Sequence, residues 1–261
     1  MSIPVCLRGT FYMQRSPLRE GMTKPKKCLA ATRQNSIHLS NTQNIVAFFD
    51  FDETLLKVNS AHIGFKILNK LGLLTTRFKI KIYFIGFLRH FHWISEETMA
   101  NAMIRFYKGH SLSEFQNNAD TFYTDFLKPN LSKVILAKLK WHQQQGHKTA
   151  LVSGSIRYYL EPVMQDLGID FLLCTDLETD SNGLLTGNSK GPICVDQHKV
   201  VLAQHLVQAQ NLVLAESFAY GNHNSDIPLL EMVGNPTAVQ PSPKLQEWAL
   251  KNKCPILFHE N

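Results

Sequence analysis

Two aspartates one residue apart, Asp50 and Asp52, close a short apolar run and are followed by a hydroxyl residue, Thr54. Residues 45–49 read as a buried strand of a parallel sheet, since strands covered on both faces are near-continuous apolar runs. Side chains alternate along a strand, so Asp50 and Asp52 would share a face if the strand continued regularly. The carboxyl end of such a strand borders the crevice where open α/β sheets bind ligands. Carboxylates this close repel one another unless a cation or a shared proton offsets them. Mg²⁺ suits such hard oxygen donors. An isolated Asp-x-Asp would equally be two solvated turn acids. The strand before it and the Thr54-Leu55-Leu56 after it favour a site.

Three further places could act with this pair. Ser153-Gly154 follows the apolar run 149–152 and precedes a helical stretch. A hydroxyl with free amides at a helix N-terminus can cradle phosphate, although a serine there is also an ordinary N-cap. Lys199 falls in the first turn of a helix beginning at Asp196, where the dipole disfavours a cation. It therefore needs solvent or an anionic partner. Gly221-Asn222-His223-Asn224-Ser225-Asp226 is a polar loop after an apolar strand, readable alone as a turn with an Asp cap.

The elements that must position these residues can be read from periodicity. From residue 131 on, helical and apolar strand-like stretches alternate, which implies a parallel, doubly wound, Rossmann-like α/β sheet. Ser181-Asn182-Gly183 predicts a hairpin turn within residues 177–186. Between residues 58 and 128 helices are predicted and no clear strand, with a break at Gly72 and a helix start at Ser95-Glu96-Glu97-Thr98. The predicted organisation is a core of residues 45–57 and 129–261, with a helical cap, 58–128, inserted after the first strand. Residues 1–44 read as a disordered basic extension.

Together and in this order, the four motifs resemble the haloacid dehalogenase (HAD) phosphohydrolase superfamily, nearest its phosphoserine-phosphatase-like subfamily IB. The resemblance covers about residues 45–258. It implies that Asp50 is a nucleophile forming an aspartyl-phosphate, and that Asp52 protonates the leaving oxygen and then activates water. Ser153, the Gly154 amide and Lys199 would bind phosphate. Asp50, Asp52 (through its backbone carbonyl), Asn222 and Asp226 would hold Mg²⁺. One departure stands out: the fourth motif usually reads Gly-Asp-x-x-x-Asp, and here the first acid is Asn222. An amide oxygen still coordinates Mg²⁺ but brings one less negative charge. The implied activity is hydrolysis of a phosphomonoester. A catalytically weakened binding protein and a phosphotransferase are the other readings.

The substrate expectation is a small phosphorylated metabolite. Phosphoserine phosphatases carry a glutamate shortly after the first motif. This chain has Asn59 there and no acid from Leu55 to Ser95, which argues against phosphoserine. Between His62 and His110 eight basic residues face only Glu96 and Glu97, around the apolar stretch 78–93. That stretch reads either as a packed cap helix with a basic rim attracting phosphate, the simpler reading, or as a membrane-surface helix over a lipid phosphate.

Bulk composition narrows the class. The 261 residues are 44% hydrophobic and 18% charged, with no apolar run near the ~18 residues that span a bilayer. The net charge of +6 resides in residues 1–44, which hold seven Lys/Arg and one acid, so the body is formally neutral and no nucleic-acid partner is indicated. Five scattered cysteines suggest reduced thiols and a cytoplasmic location. The acid-poor N-terminal stretch leaves organelle targeting as an alternative.

Overall fold

In the computed structural model, residues 44–259 are described, apart from 71, 73 and 92. The expectations for the N-terminal extension lie outside these residues. The first strand, β1 (Val46–Asp50), is buried at every position. Alternation splits it between two cores: Ala47 and Phe49 face one layer, Val46 and Phe48 the other. Burying each phenylalanine fully contributes on the order of 2–3 kcal/mol.

β1 is joined by β2 (Lys148–Ile156), β3 (Phe171–Thr175), β6 (Phe218–Gly221), β7 (Asn235–Val239) and β8 (Ile256–Leu257) in the order β3-β2-β1-β6-β7-β8. Every pairing is parallel. The chain thus builds outward from β1 in one direction, then returns to its other side. This is the doubly wound topology predicted from the alternating pattern, and its switch point is the crevice between β1 and β6. Helices α5 (Lys133–Gln144) and α6 (Arg157–Leu167) cover one face through Ile135, Leu139, Leu160 and Val163. The other face carries α7 (Gln197–Gln210), α8 (Ile227–Glu231) and α9 (Pro243–Lys251) through Ala203, Leu229, Leu230, Leu245 and Ala249.

Between β1 and α5 the chain makes α1 (Ser60–Lys70), α2 (Thr76–His90), α3 (Glu96–Ile104) and α4 (Leu112–Phe122). Ser95 caps α3 as predicted, its hydroxyl accepting from the Thr98 amide at 3.1 Å. The hairpin of β4 (Leu177–Thr179) and β5 (Leu185–Ser189) turns at Gly183, whose φ of 76° needs a residue without Cβ. Its outer strand also grips the helical block: the Gly109 amide donates to the Leu185 carbonyl at 2.8 Å, and the Leu185 amide to the His110 carbonyl at 2.9 Å.

One boundary differs from expectation. Ser153-Gly154 was predicted to lie between strand and helix, but β2 runs on to Ile156 with a register shift against β3 between Ser153 and Ile156. The helix starts only at Arg157. The irregular strand end, rather than a helix N-terminus, exposes the Gly154 region to the crevice. The cause is local. The Gly154 carbonyl accepts from Thr175 Oγ1 at 2.8 Å, which ties the extended backbone to β3.

Candidate active site

Asp50 ends β1, Ser153 lies in the last turn-free stretch of β2, and Gly221-Asn222 ends β6, so three strand ends meet at the switch point. After Asp50 the strand does not continue. Residues Phe51–Leu55 form a tight turn in which Glu53 is left-handed (φ 56°). The turn, not strand alternation, sets Asp52 beside Asp50.

Lys199 supplies the centre. Its ammonium lies 2.6 Å from Asp50 Oδ1 and 2.7 Å from Asp226 Oδ1, with only 5% of Lys199 and 5% of Asp50 exposed. The anionic partner that a lysine in a first helical turn requires is therefore a pair of carboxylates. Asp226 is held from its other oxygen, Oδ2, by the amides of Asn222 (3.1 Å) and His223 (3.0 Å). Gly221 makes room for it: a Cβ there would sit 2.7 Å from Asp226 Cβ and 2.9 Å from its carboxylate carbon.

Asp52 points to a different set of donors. Its Oδ1 accepts from the Ser60 amide at 2.5 Å and its Oδ2 from Ser155 Oγ at 3.0 Å. Ser153 Oγ accepts from the Ser155 amide at 3.1 Å. Gly154 is required by close approach, since a Cβ would come within 2.9 Å of Val195 Cγ1.

Asp50 Oδ2 and Asn222 Oδ1 both face the Thr54 hydroxyl, at 3.1 and 3.5 Å. The Asn222 amide group in turn donates to Glu53 Oε2 at 3.1 Å, which leaves its oxygen facing the Thr54 hydroxyl. Two hard oxygens thus converge on the Thr54 hydroxyl, a donor chemistry that fits Mg²⁺. Among the described residues no group of three or more His, Cys, Asp and Glu side chains forms a metal cluster. A cation here would draw on amide and backbone oxygens as well as Asp50.

The charge balance is uneven. Asp50, Asp52 and Asp226 surround a single ammonium. Burial raises Asp50 to about 7 despite the opposing Lys199, with Asp226 and Asp52 adding to the rise. Burial also raises Asp52, against the hydrogen bonds from Ser60 and Ser155. Lys199 is disfavoured by its burial, but Asp226 and Asp50 outweigh this and hold its pKa well above the usual lysine value.

All seven residues singled out from the sequence (Asp50, Asp52, Ser153, Gly154, Lys199, Asn222, Asp226) line one cavity, of about 970 Å³. Sequence reasoning missed Glu53, Ser60 and Ser155. The spacing Ser153-x-Ser155 at a strand end was a usable signal for the last. Glu96 was also missed as a site neighbour: its Oε1 lies 3.0 Å from His223 Nδ1, linking α3 to the β6 loop.

A doubly wound sheet with a buried Asp-Lys-Asp constellation at its switch point defines a hydrolase class, and comparison with known proteins identifies it. The haloacid dehalogenase-like hydrolase family matches residues 47–231, most of the chain, and the protein belongs to that family. It is 28% identical over 222 residues to a histidinol-phosphatase of Neisseria meningitidis, covering 81% of this chain and 97% of that one. A solved structure of a Bordetella pertussis protein of unknown function has a TM-score of 0.72 and 25% identity, covering 82% and 97% of the two chains. A phosphoserine phosphatase solved as a phospho-aspartyl intermediate analogue shares the fold, with a TM-score of 0.61, 18% identity and coverage of 84% and 94%. The expected superfamily and its phosphoserine-phosphatase-like branch are both supported.

Proposed function

We propose that this protein is a Mg²⁺-dependent phosphomonoester hydrolase that works through an aspartyl-phosphate on Asp50. The observation that carries the reading is the buried Asp50–Lys199–Asp226 constellation at the carboxyl end of β1. A phosphatase in the N. meningitidis relative supports it. Helices α1–α4 act as the cap over the site.

In this reading an Asp50 oxygen forms a bond to phosphorus as the ester oxygen leaves. The proton for that oxygen comes from Asp52, whose burial favours the protonated form. Asp52 then takes a proton from water, which attacks phosphorus and releases phosphate from Asp50. One carboxyl group serves as acid and then base. Ser60 and Ser155 fix its direction through both phases. Ser153, the Gly154 amide and Lys199 hold the phosphoryl oxygens, where the charge of the reaction sits. Asp50, the Asp52 carbonyl, Asn222 and Asp226 would hold Mg²⁺, with Asp226 also facing Lys199. A bound Mg²⁺ supplies positive charge that one ammonium among three carboxylates lacks.

The substrate is a small phosphorylated molecule and the location cytoplasmic, in keeping with the buried free thiols of Cys174, Cys194 and Cys254. Among the described residues no helix is long and apolar enough to cross a membrane.

The test is phosphate release from an aryl phosphate, with and without Mg²⁺, by the native protein and by Asp50→Asn. Release that needs both Mg²⁺ and Asp50 supports the reading. Absence of release under all conditions would favour the binding-protein alternative suggested by Asn222. Transfer to an added alcohol would reveal a phosphotransferase.

A further inference from the structure

The cavity above the carboxylates is much larger than a phosphoryl group and a small polar body require. Pockets of about 300–1,000 Å³ hold whole drug-sized ligands, and this one, at about 970 Å³, is at the upper end. Asp50, Asp52, Ser153, Lys199, Asn222 and Asp226 gather on its floor, and Asn59, His62, Tyr107 and Tyr159 are among the further polar side chains that line it. Of the acids nearest that floor, Glu53 is engaged with Asn222 and Glu96 with His223. The upper walls are apolar and aromatic: Phe65 from α1, Phe78, Ile82 and Phe87 from α2, Met103 from α3, and Phe106 just beyond it.

The wall does not end at the cavity. Tyr83 and Phe87 line it and are nevertheless 67% and 54% exposed, so the apolar surface runs out through an opening along α2. Beside them Ile80 and Phe84 are 64% and 60% exposed, which leaves α2 apolar on its outer side as well. Four large apolar or aromatic side chains exposed on one helix, two of them lining the cavity, are consistent with an interaction site.

Building on the phosphatase reading, we infer that the leaving group is a long apolar alcohol: the substrate is a phosphomonoester of an alkyl or isoprenoid type chain, with its phosphate at Asp50 and its chain running between α1, α2 and α3. Hydrolysis then yields the free alcohol, protonated from Asp52, and phosphate. A short, doubly charged amino-acid phosphate would leave most of the apolar wall uncovered and pair with none of it.

Binding is measured by calorimetry with n-alkyl phosphonates, which carry the phosphoryl headgroup and cannot be hydrolysed, from ethyl to dodecyl, in the presence of Mg²⁺. One arm supplies dodecyl phosphonate as a free monomer. A second supplies it in phosphatidylcholine vesicles, to separate a soluble amphiphile from a membrane-held lipid. Dodecyl phosphonate is expected to bind at least a hundredfold tighter than ethyl phosphonate in one arm or the other, because each buried methylene is worth about fourfold. Equal binding of the two in both arms overturns the inference. Because binding needs no turnover, that outcome leaves the phosphatase reading to the aryl phosphate assay.

Two variants guard against a merely sticky surface. Gly86 in α2 and Gly64 in α1 line the cavity, and a Cβ at either meets nothing within 4 Å. Leucine at a helical glycine is well tolerated, so Gly86→Leu and Gly64→Leu fill the cavity without disturbing the fold, which circular dichroism checks. Either is expected to cut the dodecyl-to-ethyl ratio at least tenfold. An unchanged ratio in both variants would contradict occupation of this cavity by the chain.

Discussion

The ammonium of Lys199 bridges Asp50 and Asp226, at 2.6 and 2.7 Å, inside the protein. A lone buried charge is costly, and carboxylates facing each other without a cation are costlier. The bridge therefore couples the proposed nucleophile to the loop after β6. Lys199→Met removes the cation but keeps much of the volume. It is expected to lower kcat/KM for an aryl phosphate by about 10²–10³, the usual loss for one electrostatic donor. Lys199→Arg is expected to recover little, since a planar guanidinium cannot replace a point charge between two carboxylates. Near-native steady-state kinetics for Lys199→Met would rule out this role.

Asn222 and Glu53 form a second linked pair. Glu53 Oε2 accepts from the Asn222 amide group, 3.1 Å away. Restoring an acid at position 222 would set two carboxylates against each other. Asn222→Asp alone is thus expected to change Mg²⁺ affinity by less than threefold. Asn222→Asp with Glu53→Gln is expected to tighten it about tenfold or more. Titration calorimetry on the four members of this cycle gives the coupling, and strict additivity would show that the pair is not linked.

Gly221 is needed for space rather than for flexibility. Because its Cβ would collide with Asp226, Gly221→Ala is expected to displace that carboxylate from Lys199 and cost about 1–3 kcal/mol of stability by overpacking. Chemical denaturation measures the cost. An unchanged midpoint would mean that the loop yields freely.

A buried imidazole pair behind β1 sets a pH dependence for stability. His142 Nδ1 lies 2.9 Å from His147 Nδ1, and His142 Nε2 lies 2.9 Å from the Tyr220 hydroxyl. Burial, aided by His147, pulls His142 down to about 3. A depressed histidine binds its proton more readily when unfolded, so its contribution is present above the unfolded value near 6.5 and is lost as pH falls toward 3. Between pH 7 and pH 5 the loss is about 2 kcal/mol. The denaturation midpoint is expected to fall over that range in the native protein and much less in His142→Phe. Parallel pH profiles would remove His142 from the account.

Much of the architecture was legible because its signals are local. An apolar run ending in Asp-x-Asp-x-Thr needs no tertiary information, and neither does the βα alternation after residue 131. Lys199 announced itself by a conflict, a cation in the first turn of a helix, and the structure resolved that conflict with Asp50 and Asp226. The end of β2 was misjudged because a bond between distant residues, Thr175 Oγ1 to the Gly154 carbonyl, keeps the backbone extended past Ser153. Glu53 was invisible for a related reason. Only the left-handed turn at that residue aims its side chain at Asn222, 169 positions away. Ser60 and Glu96 reach the site from helices whose placement over the sheet no periodicity encodes.

The central claim is a covalent bond between Asp50 and phosphorus. Acid quenching of the enzyme during turnover of acetyl phosphate with Mg²⁺, followed by peptide mass spectrometry, tests it directly. The account predicts a phosphoryl group on the peptide containing Asp50, lost on hydroxylamine treatment and absent from Asp50→Asn. Phosphate release by Asp50→Asn at the native rate, or a phosphoryl group trapped on another residue, would contradict it.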